Sequence, residues 1–231
     1  MDGAMVDVPT LRRPLPMSPL ALAMIGVAMG CVLDATIKHL GVAYTAVLIA
    51  TVRYLFGTVF SGATVLALKR KLPDAAGLRR HALRSVAVTG SAVLFFHSLT
   101  ILPIAEATVL IFGAPLVIAP LAWWILGEKM QPTAVVALMV GFVGVLITVQ
   151  GAPEAADTAR RMEGIISGVS ASALYALSIV LLRQLAQKDD AVVTAFLGNV
   201  FPSLYLIGPA IFLGVTPAAG DLPIFAVAGL T

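Results

Sequence analysis

Few residues in this 231-residue chain are of a type that could do chemistry, and those few stand in apolar surroundings. Arg53 is the sharpest of them. It sits near the middle of an apolar run at 41–68, where a guanidinium costs about 2.5–3.5 kcal/mol on insertion scales. It should therefore face a partner or a wet cavity, where it could attract an anionic group. The competing reading is that so long a run tilts and lets the side chain snorkel to the interface. Asp34 and Lys38 are four apart with the acid first, the favourable order for a helical pair. Asp34 is the deeper of the two and could hold a proton or pair with Arg53. His97 and Glu106 stand near the ends of their runs and could titrate during a transport cycle, although simple hydration explains them as well. Tyr175 and Asn199 fall near the middle of two later runs and offer hydrogen bonds without charge. Pro202 follows Asn199 by three residues and frees the Gly198 carbonyl from its helix hydrogen bond; Pro115 does the same to Ile111. Backbone freed in mid-membrane must meet water or a ligand.

Other chemistries find no footing. No two of these residues have the spacing of a His-x-x-x-His metal site, so neither metal nor cofactor is expected. The single cysteine, Cys31, excludes an intramolecular disulfide and a cysteine-built metal site. No Gly-x-Ser-x-Gly elbow or phosphate-cradling loop is present, which argues against an enzyme. The pI near 9.2 might suggest a nucleic-acid partner. The basic residues, however, lie between apolar runs rather than on a patch interleaved with aromatics, so they read as topology signals.

The elements that must position these groups are membrane helices. Hydrophobic residues make up 59% of the chain and charged residues 12%, about half the charged fraction of a soluble domain. Apolar runs occupy about 17–37, 41–68, 83–102, 104–126, 133–149, 164–183 and 191–213, and another begins near Leu222. Each approximates the 20 or so residues that cross a hydrocarbon core of about 30 Å. None alternates for long enough to suggest a barrel strand. The first run follows Arg12 and Arg13, but it is too long for a signal peptide's apolar core, and it reads as the first helix. Residues 1–16 carry Pro9, Pro14 and Pro16 without periodicity and read as a flexible cytoplasmic tail. Gly26-x-x-x-Gly30, Ala137-x-x-x-Gly141 and Gly164-x-x-x-Gly168 are small-residue faces for close helix packing; a homodimer is left open.

Loop charges give the row of helices a direction. With the N-terminus inside, the inner segments hold Arg12, Arg13, Lys69, Arg70, Lys71, Arg79, Arg80, Arg84, Lys129, Arg183 and Lys188, and the outer ones hold Lys38, Arg160 and Arg161. That bias favours a cytoplasmic N-terminus. Trp123 and Trp124 then lie at the inner end of the fourth span, where interfacial indoles belong. The longest outer link, 151–163, separates five spans (17–150) from a second set (164–231). Five is odd, so a second copy would enter the membrane from the opposite side, as in an inverted-topology repeat. A second unit as long as the first would end near residue 297, about 65 residues past Thr231.

The fourth and fifth spans carry a resemblance. Leu102-Pro-Ile-Ala-Glu106 opens a stretch with Pro115 at its centre and Gly127-Glu128 at its close, and a helix containing Gly141 and Gly144 follows. With Arg53 in the second span, this pattern resembles the EamA-type transporters of the drug/metabolite transporter superfamily. The resemblance covers about 20–150 well and 164–231 loosely. It implies an all-α bundle of two inverted five-helix halves, both termini inside, around a central cavity. The second half here lacks the Pro and Gly-Glu helix. The expectation is a secondary transporter of a small metabolite or drug-like solute in a bacterial-type inner membrane, working by alternating access. Arg53, Asp34, His97, Tyr175 and Asn199 would line its cavity, with Arg53 drawing in carboxylate or phosphate and Asp34 or His97 carrying a coupling proton. The rival is a truncated, non-transporting relative, or a half completed by another chain.

Overall fold

The computed structural model describes residues 18–127, 132–150, 158–186, 189–213 and 216–230, and every regular element among them is helical. The helices are α1 (Pro19–Leu40), α2 (Ala46–Ala67), α3 (Ala75–Ile101), α4 (Ile104–Ile111), α5 (Ala114–Leu126), α6 (Pro132–Gln150), α7 (Thr158–Leu185), α8 (Ala191–Phe212) and α9 (Leu222–Leu230), with one 3-10 turn at Ala219–Asp221. The expected tail at 1–16 and most of the 151–163 link lie outside the described residues.

Local chemistry explains the boundaries. Ser18, Thr45, Asp74 and Asp190 each accept a hydrogen bond from a first-turn backbone N–H of the helix that follows, supplying donors the helix leaves unpaired. Gly127 ends α5 in a left-handed conformation, φ 69°, and its N–H reaches back to the last turn; that conformation suits glycine. This is the structural sense of the Gly in the Gly-Glu signature, while Glu128 lies outside the described residues. The fourth apolar run is broken in two. Pro115 falls in the first turn of α5 and has no N–H for the Ile111 carbonyl, so α4 stops at Ile111. Pro202 and Pro209, by contrast, sit inside a continuous α8.

Two helices begin earlier than the sequence expectation. α3 starts at Ala75, not near 83, and α7 at Thr158, not near 164. Their first two turns carry Arg79, Arg80, Arg160 and Arg161, and charged residues of this kind read as link in a hydropathy scan. The Asp74 cap, which accepts from the Gly77 N–H, fixes the start of α3.

Five helical stretches are long and apolar enough to cross a membrane: Ala46–Ala67, Ala75–Ile101, Ile104–Leu126, Thr158–Leu185 and Ala191–Phe212. The protein is an integral membrane protein, and large apolar side chains such as Leu66, Phe112, Ile211 and Phe212 stand exposed on its outer surface. At its centre α3 packs on α7, α2 on α8, and α3 on α8. α1 and α9 flank this group, α4 and α5 cover α7 from the other side, and α6 packs on α4 and α5. Close approach depends on glycine at Gly164 and Gly168 in α7, where an added Cβ would come within 2.8 Å of Leu102 and Leu110. Gly26, Gly30 and Gly141 have nothing within 4 Å of an added Cβ, so those two expected packing faces are open here.

The two ends of the bundle differ. At the end that carries the 41–45 link, Ile37, Leu40, Ile49, Leu99, Leu102 and Phe225 form a tight apolar core. Polar ties surround it. Lys38 Nζ donates to the Leu102 carbonyl at 2.7 Å, in place of the expected pair with Asp34. The Tyr44 hydroxyl donates to Asp221 at 2.6 Å, which holds that hydroxyl above its ordinary pKa. Arg161 pairs with Glu106 at 2.7 Å and His97 with Glu163 at 2.8 Å. At the opposite end, that of the 68–74 link, the ties are His81 to Asp189 at 3.1 Å and Arg70 to Asp190 at 3.6 Å.

Candidate functional site

A cavity opens among α2, α3, α7 and α8. It has two lobes, of about 430 and 600 Å3, which share Arg53, Tyr54, Arg84, Val88 and Leu182 as walls. Both volumes are in the range of small-molecule sites. The first lobe continues towards the middle of the bundle past Phe95, Phe96, Tyr175 and Ile111, the last residue of α4 before the break. The second runs towards the 68–74 end past Thr194, Gly198, Asn199 and Asp189. The apolar core closes the 41–45 end, so the cavity occupies the other part of the bundle.

Two arginines stand where the lobes meet. The Arg53 guanidinium lies over the ring of its neighbour Tyr54, 4.8 Å from the centroid, a cation–π contact worth about 0.5–2 kcal/mol. Its Nε is buried and has no hydrogen-bond partner among the described residues. Arg84, on α3, donates Nε to the Ser178 carbonyl of α7 at 3.2 Å. Tyr54 is within electrostatic reach of both arginines, and Arg84 also of Tyr175. Among the described residues neither guanidinium forms an ion pair. The one carboxylate on these walls, Asp189, is held by the fully buried His81.

The helices bring these groups together through close contacts on α2. An added Cβ at Gly57 would run into Asn199 Oδ1 on α8, and one at Gly229 of α9 would sit 2.9 Å from the Arg53 carbonyl. Glycine at both positions lets α8 and α9 press on the turn of α2 that carries Arg53. Asn199 Nδ2 donates to Ala195 O at 2.9 Å within its own helix. Gly198, whose carbonyl Pro202 deprives of a donor, borders the second lobe.

Of the residues singled out in the sequence, Arg53, Tyr175 and Asn199 therefore line one cavity. Asp34 and His97 are not among its walls. His97 is engaged with Glu163 at the 41–45 end, and Asp34 is partly buried on α1. Glu106, for which titration and simple hydration were equal readings, is 4% exposed and paired with Arg161. Sequence reasoning missed Arg84, Tyr54 and Asp189. Arg84 was assigned to an inner link because α3 was started too late. Counting from the Asp74 cap puts it well inside the helix.

Comparison with known proteins agrees with this architecture. Residues 17–150 match the EamA-like transporter family. The chain is 24% identical over 196 residues to an S-adenosylmethionine uptake transporter of Rickettsia bellii, covering 85% of this chain and 66% of that protein. It is 32% identical over 123 residues to an uncharacterized transporter of Helicobacter pylori, covering 52% of this chain and 40% of the relative. The chain thus spans about two thirds or less of the length of these curated relatives. One solved crystal structure shares the fold with a TM-score of 0.63 at 18% identity, over 92% of this chain and 75% of that one.

Proposed function

The chain belongs to the EamA-like transporter family, and from that premise we propose that it carries a small metabolite with an anionic group across the membrane by alternating access. The observation that carries the reading is the cavity at the midpoint of α2, walled by Arg53 and Arg84 without an ion pair among the described residues. A charged side chain kept in the membrane interior marks a substrate or ion path more often than a structural pair. Arg53 and Arg84 bind the anionic group, Tyr54 and Tyr175 flank it, and Asn199 offers hydrogen bonds from α8. Asp34 and His97 stand off the cavity, so no coupling proton is assigned to them.

The pattern of helix contacts supports an inverted repeat of 17–150 and a second unit beginning near 164. Exchange α1 with α7, α2 with α8 and α3 with α9. The α3–α7 contact becomes α9–α1, α3–α8 becomes α9–α2, and α2–α8 maps onto itself. All of these pairs touch. Repeats related in this way place substrate at their interface and rock against each other. With the N-terminus cytoplasmic, as the loop charges favour, the cavity faces the cytoplasm and the apolar core seals the outer side. That arrangement corresponds to an inward-facing state in a bacterial inner membrane.

Reconstitution in proteoliposomes tests the reading. S-adenosylmethionine enters the panel because the Rickettsia relative is named for its uptake. Carboxylate and phosphate metabolites complete it. Wild-type chain is expected to take up at least one compound, and Arg53→Ala to lower that uptake at least tenfold. Unchanged uptake in Arg53→Ala would remove the arginine's role. No uptake of any compound would favour the second reading, a relative that inserts but does not transport on its own.

A further inference from the structure

Resting on that transport reading, we infer that Arg53 and Arg84 act as a two-cation clamp, and that the preferred substrate carries a dianionic head group on an uncharged, ring-containing body. Arg53 alone would suit any carboxylate. Arg84 changes the charge balance, because a ligand with one negative charge leaves a second guanidinium uncompensated in a poorly solvated place. Among the described residues Asp189 forms no ion pair with either guanidinium; its contact is with His81, at 3.1 Å.

Donor geometry points the same way. Arg84 uses Nε on the Ser178 carbonyl, and a guanidinium has five N–H groups in a fixed fork, so four remain. Arg53 keeps even its buried Nε without an acceptor among the described residues. A single carboxylate has two oxygens, which one arginine satisfies in a bidentate fork. A phosphomonoester presents three acceptor oxygens and close to two charges near neutral pH, enough to meet both forks at once. Two adjacent carboxylates do the same. The body of such a ligand has its place in the first lobe, whose walls include Phe95, Phe96 and Tyr175, because aromatic faces suit a flat or apolar group.

The test is binding to the full chain in lipid nanodiscs by isothermal titration calorimetry, with probe pairs that share a ring and differ by one charge. Phenyl phosphate carries the dianionic head; methyl phenyl phosphate keeps the body and loses one charge. Phthalate and benzoate form the corresponding carboxylate pair. At least a tenfold preference for the dianion is expected in one pair, and which pair shows it tells a phosphate head from a dicarboxylate head. In Arg84→Gln, checked for a monodisperse elution profile, that ratio should collapse towards one, and Arg84→Lys should restore part of it. Equal affinities within both pairs would overturn the inference, as would a preference that survives Arg84→Gln, or failure of every probe to bind. None of these outcomes bears on Arg53-dependent uptake in liposomes, so the transport reading stands or falls separately.

Discussion

Arg53 was legible in the sequence because an arginine in an apolar run has few explanations. Tyr175 and Asn199 were legible because polar groups at mid-span are rare. The remaining site residues were hidden by context. Arg84 stands five residues after Arg79 and four after Arg80, and loop charge and cavity charge look alike until the helix start is known. Glu106 was hidden differently, because its partner Arg161 is 55 residues away and pairing at that separation leaves no local pattern. The pair is unequal in burial, with side-chain exposures of 4% for Glu106 and 24% for Arg161. Arg161→Ala should therefore strand a buried carboxylate and destabilise the protein by about 2–4 kcal/mol, near the lower end for breaking a buried pair because water reaches Arg161. Glu106→Gln, which keeps the shape and a hydrogen bond, should cost less. Thermal unfolding in detergent compares the two, and equal losses would mean the charge is immaterial.

Helix existence could be read from apolar length; the caps Ser18, Thr45, Asp74 and Asp190 that set four of the starts emerge from the structure. What hydropathy could not supply was the early turns of α3 and α7, where Arg79, Arg80 and Arg160 are exposed while His81 is buried and Arg161 reaches Glu106. Proline proved an incomplete guide to breaks. Pro115 coincides with one, beside Gly113 at the start of α5. Pro202 lies in an unbroken α8, where Ser203 Oγ binds the carbonyls of Asn199 and Val200 at 2.9 Å and supports that turn. Glycines sort the same way, by what lies opposite. Gly229→Ala would drive a methyl against the backbone of α2, 2.9 Å from the Arg53 carbonyl and 3.0 Å from the Gly57 nitrogen. Overpacking against backbone costs about 1–3 kcal/mol, so a lower melting temperature and weaker ligand binding are expected together. Gly26→Ala meets nothing within 4 Å and should be neutral or stabilising by up to about 1 kcal/mol. Equal melting temperatures for the two variants would show that α9 does not press on α2.

For the molecule as a whole, the sequence conveyed a membrane bundle and a direction. The sealed 41–45 end and the cavity beyond it come from contacts between distant segments, such as Phe225 with Tyr44, whose ring centroids are 5.4 Å apart, that no local pattern encodes. Direction is open to a simple measurement on a Cys31→Ala background. With the N-terminus inside, an impermeant maleimide added to intact cells should label Val42→Cys, in a link where Val42 is 90% exposed, and should spare Lys71→Cys until the membrane is broken. The reverse pattern would invert the assignment of the cavity to the cytoplasmic side. The chain's two tryptophans, Trp123 and Trp124, are neighbours in the last turn of α5, 60% and 79% exposed, and neither belongs to the cavity wall. Tryptophan emission is therefore a gauge of immersion: brominated lipid quenches it, whereas a ligand in the cavity touches neither indole. A flat emission titration carries no information about affinity in this molecule, and an optical binding signal has to be built in, for instance by placing an indole at Phe95.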